Sequence, residues 1–399
     1  MRPILLVTLA ALMVGSALRV EAQQDTTPKW YDRLRFEGDF RVRYESFSLE
    51  NAPGRGRFRI RMRTGFTLPI SRTVTAGVRI ATSEPGSVTS HNVSLTGGFT
   101  YKNIGLDRAF LSWVPSNRFT LTAGKFANPL VRPAALMRSE LIWDDEVAPE
   151  GFHEQVNLVV AKEGLLRRLA LLGEQWSLQE ISNAADTWMI GGQAVADLAF
   201  SSRVSATLTG GYYGYLNGTQ LATARNSNGA LVVSNSVVLQ DGTVLPGGKL
   251  LAPPAGNPFA SFVNDFELLT GSAGITIDKV FGRMPLQAYF DVVQNLGASA
   301  EETGYWAGIS AGALRQRGDW AATVLYAHVP TEATLSMYSY SDLGSGGTNV
   351  QGPIFQLQYR PSKDFTLSAR HHMISAVNVA TGASPNTLHR LMIDAGVSF

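Results

Sequence analysis

Residues 35–45 of the chain read RFEGDFRVRYE, and apolar or glycine positions alternate with charged ones throughout this stretch. Successive side chains of a β-strand point to opposite faces of a sheet, so the stretch predicts a strand with one apolar and one charged face. Residues 57–68, RFRIRMRTGFTL, repeat the pattern. Similar alternation recurs along the chain, whereas no segment keeps a helical period beyond a turn or two. The chain is therefore predicted to be all-β.

Sixteen strands are predicted from this alternation. They cover residues 34–47, 57–68, 73–82, 104–114, 118–126, 154–162, 166–178, 187–200, 203–215, 264–277, 284–295, 304–314, 318–329, 351–360, 364–374 and 388–399.

The connections between the predicted strands fall into two groups. Those after even-numbered strands are short, whereas those after odd-numbered strands are mostly longer and rich in Gly, Ser and Asn. The longest connections are 83–103, 127–153, 216–263 and 330–350. Short turns at one end and long loops at the other are typical of bacterial outer-membrane barrels. The predicted fold is a transmembrane antiparallel β-barrel of 16 strands, with short periplasmic turns and long extracellular loops.

The overall composition excludes several classes of protein. The chain has 399 residues, a mean hydropathy of +0.01, a net charge of +2 and no cysteine. The near-zero hydropathy excludes a polytopic helical membrane protein, which needs repeated apolar runs of about 20 residues. The absence of cysteine excludes disulfides, zinc–thiolate sites and iron–sulfur clusters. The small net charge predicts no nucleic-acid partner.

The N-terminus has the pattern of a secretory signal peptide. Arg2 supplies a positive charge, residues 4–18 are almost wholly apolar, and Val20-Glu21-Ala22 predicts cleavage after residue 22. A membrane anchor is the alternative, but the apolar run is shorter than the roughly 18 residues that a membrane span needs. We therefore expect a signal peptide at 1–22 and one barrel domain at 23–399.

The C-terminus also alternates, and the chain ends on Phe399. A last strand with a terminal aromatic residue resembles the signal read by the barrel-assembly machinery of diderm bacteria. We therefore predict Phe399 as an assembly signal and that machinery as a partner.

Arginine dominates the charged face of the first three predicted strands. A charged side chain facing lipid at mid-depth costs about 2–4 kcal/mol, so these arginines are predicted to point into the barrel. Neighbouring strands lie about 4.8 Å apart, which predicts a basic ladder along one wall. The predicted basic wall consists of Arg41, Arg43, Arg57, Arg59, Arg61, Arg63 and Arg79. The alternative is that these arginines mainly pair with Glu37, Asp39, Glu45 and other carboxylates, and simply fill a narrow interior.

Catalytic and metal-binding patterns have little support in the sequence. His371 and His372 are adjacent, so they point to opposite faces of a strand and do not share a metal without distortion. We expect no enzyme activity, no cofactor and no metal.

Six segments carry a resemblance to a known family. They are GDFRVRYE (38–45), RFRIRMR (57–63), AGVRIAT (76–82), LDRAFLSW (106–113), LTAGKFANP (121–129) and WDDEVAPEG (143–151). Together they resemble the putative porin family of diderm bacteria, which is more distantly akin to the general and phosphate-selective porins. The resemblance covers residues 36–152 well and the rest only as barrel strands. It implies an outer-membrane diffusion channel for small hydrophilic solutes, set among lipid and lipopolysaccharide and assembled as a homotrimer.

The resemblance also implies a role for the long connection 127–153, because the equivalent loop of similar porins folds inward and narrows the pore. Its acidic residues are Glu140, Asp144, Asp145, Glu146 and Glu150. An acidic loop opposite a basic wall predicts a transverse field across a constriction, which selects among ions. The arginine ladder of the wall predicts a preference for anions. The alternative places the loop outside, as a lid or as a binder of the cations that bridge lipopolysaccharide.

Two other functions compete with a passive channel. A substrate-specific receptor or transport barrel usually carries a plug before its first strand, and only 11 residues, 23–33, separate the predicted signal peptide from that strand. A barrel with a surface-loop binding role would use the loop 216–263, whose composition is ordinary for an exposed loop. We therefore expect the diffusion channel.

Overall fold

The computed structural model describes residues 29–399 except 51, 96, 134–135, 227–228, 231, 345 and 380–385, and gives only the backbone of 225–226 and 229–230. The predicted signal peptide, 1–22, lies outside the described residues. Residues 29–34 belong to a separate short unit, in which Trp30–Arg33 form a 3₁₀-helix. Among the described residues, no helix is long and apolar enough to cross a membrane.

The main unit is built from sixteen long strands, labelled β1 to β16 in chain order. They are β1 (Arg35–Leu49), β2 (Arg55–Pro69), β3 (Val74–Thr82), β4 (Ile104–Ser116), β5 (Phe119–Lys125), β6 (Glu150–Val160), β7 (Leu166–Gln179), β8 (Thr187–Ala199), β9 (Val204–Leu216), β10 (Glu267–Phe281), β11 (Met284–Asn295), β12 (Thr303–Gly312), β13 (Trp320–Val329), β14 (Val350–Tyr359), β15 (Phe365–Ala376) and β16 (Leu388–Ser398).

The sheet closes on itself. Each strand pairs antiparallel with the next, and β1 pairs with β16 in a register that places Arg43 opposite Asp394. Closure leaves no unpaired strand edge, which a barrel in lipid requires. The predicted 16-stranded antiparallel barrel is confirmed.

The predicted start of β6 is wrong, because this strand begins at Glu150 rather than at 154. Gly151, which lies in the predicted connection 127–153, continues the ladder opposite Gly124. Gly151 has φ +143°, and a Cβ atom there would lie 2.1 Å from the carbonyl oxygen of Gln175. The glycine therefore marks a strand position that other residues do not fit, and the loop before β6 spans only 126–149.

The connections divide by length as predicted. Turns of two to seven residues join β2 to β3 and every second pair thereafter, whereas the loops at the other end include 83–103, 126–149, 217–266 and 330–349. Short elements lie in these loops: strands Val93–Ser94, Arg225–Asn226, Gly229–Ala230, Val237–Leu239, Val244–Leu245 and Phe259–Phe262, and 3₁₀-helices Gly218–Thr223 and Ser341–Leu343. We call the two ends of the barrel the short-turn end and the long-loop end.

The two faces of the strands have opposite chemistry. On β1, Phe36 is 71% exposed, whereas Arg43 and Glu45 are buried in the interior. Trp176 of β7 and Trp306 of β12 are buried among apolar side chains of the long loops. The outer face therefore presents apolar side chains, while the interior holds both the charges and a packed apolar cluster.

The seam between β1 and β16 yields the first prediction. Gly38 and Phe399 exchange two backbone hydrogen bonds of 2.9 and 3.0 Å. A Cβ atom on Gly38 would lie 2.5 Å from the Phe399 ring and 2.8 Å from the Arg63 carbonyl oxygen. We expect Gly38→Ala to lower the free energy of unfolding by about 1–3 kcal/mol, because overpacking forces the backbone to shift. Urea unfolding of protein refolded into vesicles measures this change.

The matched control is Gly210→Ala in β9, where the nearest atom to an added Cβ is 4.0 Å away. We expect this variant to keep the wild-type stability. Equal stability of the two variants would show that the seam does not depend on the glycine.

Candidate functional site

A cavity of about 490 Å³ lies in the barrel interior between the wall of the first strands and the inner loops. Arginine and carboxylate side chains dominate its lining. The nine arginines are Arg41, Arg43, Arg61, Arg63, Arg79, Arg108, Arg132, Arg138 and Arg370. The five carboxylates are Glu140, Asp144, Asp145, Glu146 and Asp342. The structure thus brings together five arginines of the predicted basic wall and four of the five predicted loop acids.

The register of β1 and β2 places arginines close to one another, since Arg41 lies directly opposite Arg61. Like charges directly opposite each other destabilise a sheet, so they need carboxylates between them. Asp39 accepts hydrogen bonds from Arg61 at 2.8 Å and from Arg63 at 2.7 Å. Glu146, from the loop before β6, accepts one from Arg61 at 2.6 Å. The loop acid therefore completes a charge network that begins on the wall.

A second charge network crosses the β1–β16 seam. Arg43 donates two hydrogen bonds to Asp394, at 2.7 and 2.8 Å, and a third to Asp342 at 3.2 Å. Arg390 of β16 donates to Asp342 at 2.6 Å and also pairs with Glu45. These contacts tie the loop 330–349 to the basic wall.

Two predicted wall arginines do not line the cavity. Arg57 pairs with Glu45 at 2.5 Å and lies over the ring of Phe47. Arg59 donates to the backbone oxygen of Asn92 at 2.9 Å. Both lie nearer the long-loop end than Arg61, at positions where the loop 83–103 covers the wall.

The loop 126–149 is held from two sides of the barrel interior. Gln193 of β8 both donates to and accepts from the backbone of Val131, at 3.0 and 2.8 Å. The ring of Trp143 lies 4.9 Å from that of Trp176, centroid to centroid. On the opposite side, Glu146 contacts the β1–β2 wall, so the loop reaches both walls.

The predicted loop acids have different surroundings. Asp145 pairs with Arg132 at 2.5 Å within the loop, and Asp144 accepts a hydrogen bond from the Ser341 hydroxyl at 3.1 Å. The assignment of Glu150 to the loop is wrong, since Glu150 begins β6, with a side chain 62% exposed and paired with Lys125. Its carboxylate does not line the cavity because the strand starts earlier than predicted.

Sequence reasoning missed the contribution of the loop 330–349 and of the last two strands. Asp144 N donates to Tyr338 O at 2.7 Å, and Tyr340 N donates to Glu140 O at 3.1 Å, so the two inner loops pair through their backbones. Arg370 of β15 donates to the Tyr340 hydroxyl at 2.5 Å. The alternating charges of β15 and β16 were a usable signal for Arg370, Arg390 and Asp394, but no local pattern marks Asp342.

Burial raises the pKa of some loop carboxylates, whereas nearby arginines lower the pKa of others. Burial, together with neighbouring acids, raises the pKa of Glu140 and of Asp144 well above the usual range. Burial also acts on Glu146, but Arg61 and Arg41 outweigh it and hold the pKa of that carboxyl below its usual range. Arg390 and Arg43 likewise outweigh burial and lower the pKa of Asp342. The neighbouring arginines therefore favour the charged forms of Glu146 and Asp342.

Fixed charges make up most of the site. Within the part of the chain that the structure describes, no group of three His, Asp or Glu side chains is placed to hold a metal ion. Fixed guanidinium and carboxylate groups around a cavity act on passing ions through their field and their hydrogen bonds.

A family model described as "Putative porin" matches residues 49–244 and 279–399 of the chain. The chain belongs to this family. It is an outer-membrane β-barrel channel protein and not an enzyme.

Solved structures agree with this family at the level of the fold. OprB of Pseudomonas putida superposes with a TM-score of 0.58 at 12% identity, over 92% of this chain and 95% of that one. OmpF of Salmonella typhi, in complex with daunomycin, gives a TM-score of 0.53 at 10% identity, over 92% and 97%. At such low identity the likeness concerns the barrel fold alone. No curated protein sequence is a significant match to the chain.

The contacts of Glu146 yield the second prediction. Glu146 pairs with Arg61 and also accepts the backbone N–H of His91 at 2.6 Å. We expect Glu146→Ala to weaken the attachment of the loop 83–103 at His91 by about 2 kcal/mol, since it leaves buried donors unpaired. This loss corresponds to a roughly thirtyfold faster exchange of the His91 amide hydrogen. Hydrogen-exchange mass spectrometry of peptides covering residues 85–95 measures the rate.

The control is Glu150→Ala, which removes another of the five predicted loop acids, from an exposed strand end. We expect no change in exchange at His91. A wild-type exchange rate in Glu146→Ala would contradict this attachment.

Proposed function

We propose that the protein forms a water-filled channel through which small hydrophilic solutes diffuse passively, with a preference for anions. The observation that carries this proposal is the interior cavity, where nine arginines face five carboxylates. Family membership establishes a channel protein, and the charge of the cavity supports the preference.

Arginines outnumber carboxylates in the lining of the cavity, which favours anions. Part of this surplus is offset by Asp39, Asp107 and Asp394, which pair with lining arginines from outside the cavity. An arginine side chain stays protonated at every relevant pH. Burial and neighbouring acids raise the pKa of two of the facing carboxylates, Glu140 and Asp144. A cavity of 490 Å³ keeps any ion within about one Debye length, roughly 8 Å, of the charged wall. Solvent ions therefore screen the surplus positive field only in part.

The loop 126–149 is proposed as the constriction of this channel. Its backbone is bound to Gln193 on β8 and its Pro133 oxygen accepts a hydrogen bond from Gln287 on β11 at 3.0 Å. Its Glu146 carboxylate is bound to Arg61 on β2. A segment anchored to strands on both sides of the interior supports a role in narrowing the path.

Homotrimer formation, contact with lipopolysaccharide and recognition of Phe399 by the barrel-assembly machinery stay predictions from the resemblance.

Ion selectivity gives the third prediction, through the double variant Arg63→Glu with Arg370→Glu. Both side chains line the cavity, and reversing both charges changes the wall by four units. We expect the chloride-over-potassium permeability ratio to fall by about an order of magnitude, because each reversal is worth on the order of 1 kcal/mol at close range. The reversal potential in a salt gradient across a planar bilayer measures the ratio.

The control double variant is Arg118→Glu with Arg203→Glu, in exposed turns at the short-turn end. It makes the same change in net charge outside the cavity, so we expect the wild-type ratio. A wild-type protein without discrete conductance steps would refute the channel, and an unchanged potential in the cavity variant would refute control by the cavity charge.

The constriction gives the fourth prediction. Trp143 is 4% exposed and packs between Trp176 and Tyr338. Removing a buried Trp side chain costs about 3–5 kcal/mol, so we expect Trp143→Ala to loosen the loop and raise single-channel conductance. Single-channel recording measures the increase.

Trp113→Ala is the matched control, because Trp113 is 45% exposed on β4 and lies outside the cavity. We expect it to keep the wild-type conductance. If correctly folded Trp143→Ala also keeps it, the loop does not set the width of the channel.

A further inference from the structure

The arginines that line the cavity differ in how many of their donors are already used. Every guanidinium nitrogen of Arg43 bonds a carboxylate, either Asp394 or Asp342. Every guanidinium nitrogen of Arg61 likewise bonds Asp39 or Glu146. These two side chains hold loops and strands together, and they have little capacity left for a solute.

Three other arginines keep most of their donors. Among the described residues, Arg63 uses only Nε, toward Asp39, and Arg79 uses only Nε, toward Asp107. Arg108 lies 3.7 Å from Asp107, and no hydrogen bond from its guanidinium to any described residue is present. The terminal nitrogens of all three therefore remain open among the residues that the structure describes. We call Arg63, Arg79 and Arg108 the open triad.

Strand register brings the open triad together. Arg79 of β3 stands directly opposite Arg108 of β4. Arg63 of β2 stands opposite Ala81, two residues along β3 from Arg79 and on the same face. The three guanidinium groups thus come from three successive strands of one wall.

The open triad lies where two interior cavities meet. Its three side chains line the 490 Å³ cavity and also a second cavity of about 290 Å³. The second cavity is bounded by Glu37, Asp39 and Phe399, which belong to the short-turn end. A solute that passes between the two cavities therefore comes into contact with the triad.

Among the described residues, the carboxylates around the triad, Asp39, Asp107 and Glu37, accept no hydrogen bond from its terminal nitrogens. Its side chains are only 19%, 13% and 22% exposed, so water has restricted access to them. Its two nearest carboxylates are shared, Asp39 with Arg61 and Asp107 with His91 at 2.9 Å. Partly buried guanidinium groups with open donors favour an anion that accepts several hydrogen bonds at once.

We propose that Arg63, Arg79 and Arg108 form a binding site for a small oxyanion that carries at least two negative charges. The planar fork of arginine matches the oxygen pairs of carboxylates and phosphates, and three such forks engage more oxygens than a monovalent ion offers. The site rests on the proposed function only in that the channel delivers the solute to it. The proposed site assigns specificity for divalent oxyanions to three of the nine arginines that line the cavity.

The test uses the triple variant Arg63→Lys, Arg79→Lys and Arg108→Lys. Lysine keeps each positive charge but lacks the fork. Calorimetry on refolded protein, in detergent free of lipopolysaccharide and at about pH 8, uses inorganic phosphate as the divalent probe and acetate as the monovalent one. We expect saturable phosphate binding in the wild type, binding weakened about tenfold in the triple variant, and no saturable acetate binding.

Two further variants keep the test decisive. Arg108→Lys alone removes the arginine that makes no hydrogen bond to a described residue, so it spares the folded wall, and we expect phosphate binding weakened about threefold. Arg118→Lys, in the exposed turn after β4, is the control and keeps wild-type binding. A wild type without saturable phosphate binding, or lysine variants that bind phosphate as tightly as the wild type, would overturn the site.

Reversal potentials of the same proteins separate this inference from the proposed function. We expect the wild type and the control Arg118→Lys, which lies outside the cavity, to show both the anion preference and phosphate binding. Anion preference without phosphate binding refutes the site alone. Phosphate binding in a protein without anion preference refutes the proposed selectivity and leaves the site standing.

Discussion

The structure depends on one constraint, which is that a strand crossing lipid has only one face on which charge is tolerable. In β2 that face carries an arginine at every second position from Arg55 to Arg63. In β1 it carries three arginines and three carboxylates. Barrel closure then turns all of these side chains toward a common interior. Placing so many cations in a confined space is unfavourable unless carboxylates come with them. The arginines of the first strands therefore need carboxylates from other parts of the chain.

The long loops supply some of these carboxylates. Glu146 from the loop 126–149 and Asp342 from the loop 330–349 each contact two wall or seam arginines. The same loops bury Trp143, Tyr338 and Tyr340 against the interior face of the later strands. An inner loop is thus held by ion pairs on one side and by apolar packing on the other. The free space that remains is the arginine-lined cavity.

Much of the fold was predictable from the sequence, whereas less of the site was. Strand number, order and closure follow from alternation and loop length, which are local properties of the chain. The inward direction of Arg41 and Arg61 follows from the same alternation. The sequence does not predict that the donors of Arg61 are all bound while most of those of Arg63 are free. Both arginines occupy equivalent positions in the pattern and differ only in which carboxylates reach them. Glu150 was misplaced because a glycine continues a strand that the sequence suggested had not yet begun.

The sequence by itself determined which side chains face the interior, because period-2 alternation and the cost of charge in lipid act residue by residue. Only the tertiary structure decided which of those side chains are already neutralised. Arg43 meets Asp394 and Asp342 across about 300 residues or more of chain, through barrel closure and the position of an inner loop. Such pairings depend on the path of the whole chain, so no local pattern contains them. The binding properties of the cavity therefore depend on which inward-facing arginines still have free hydrogen-bond donors.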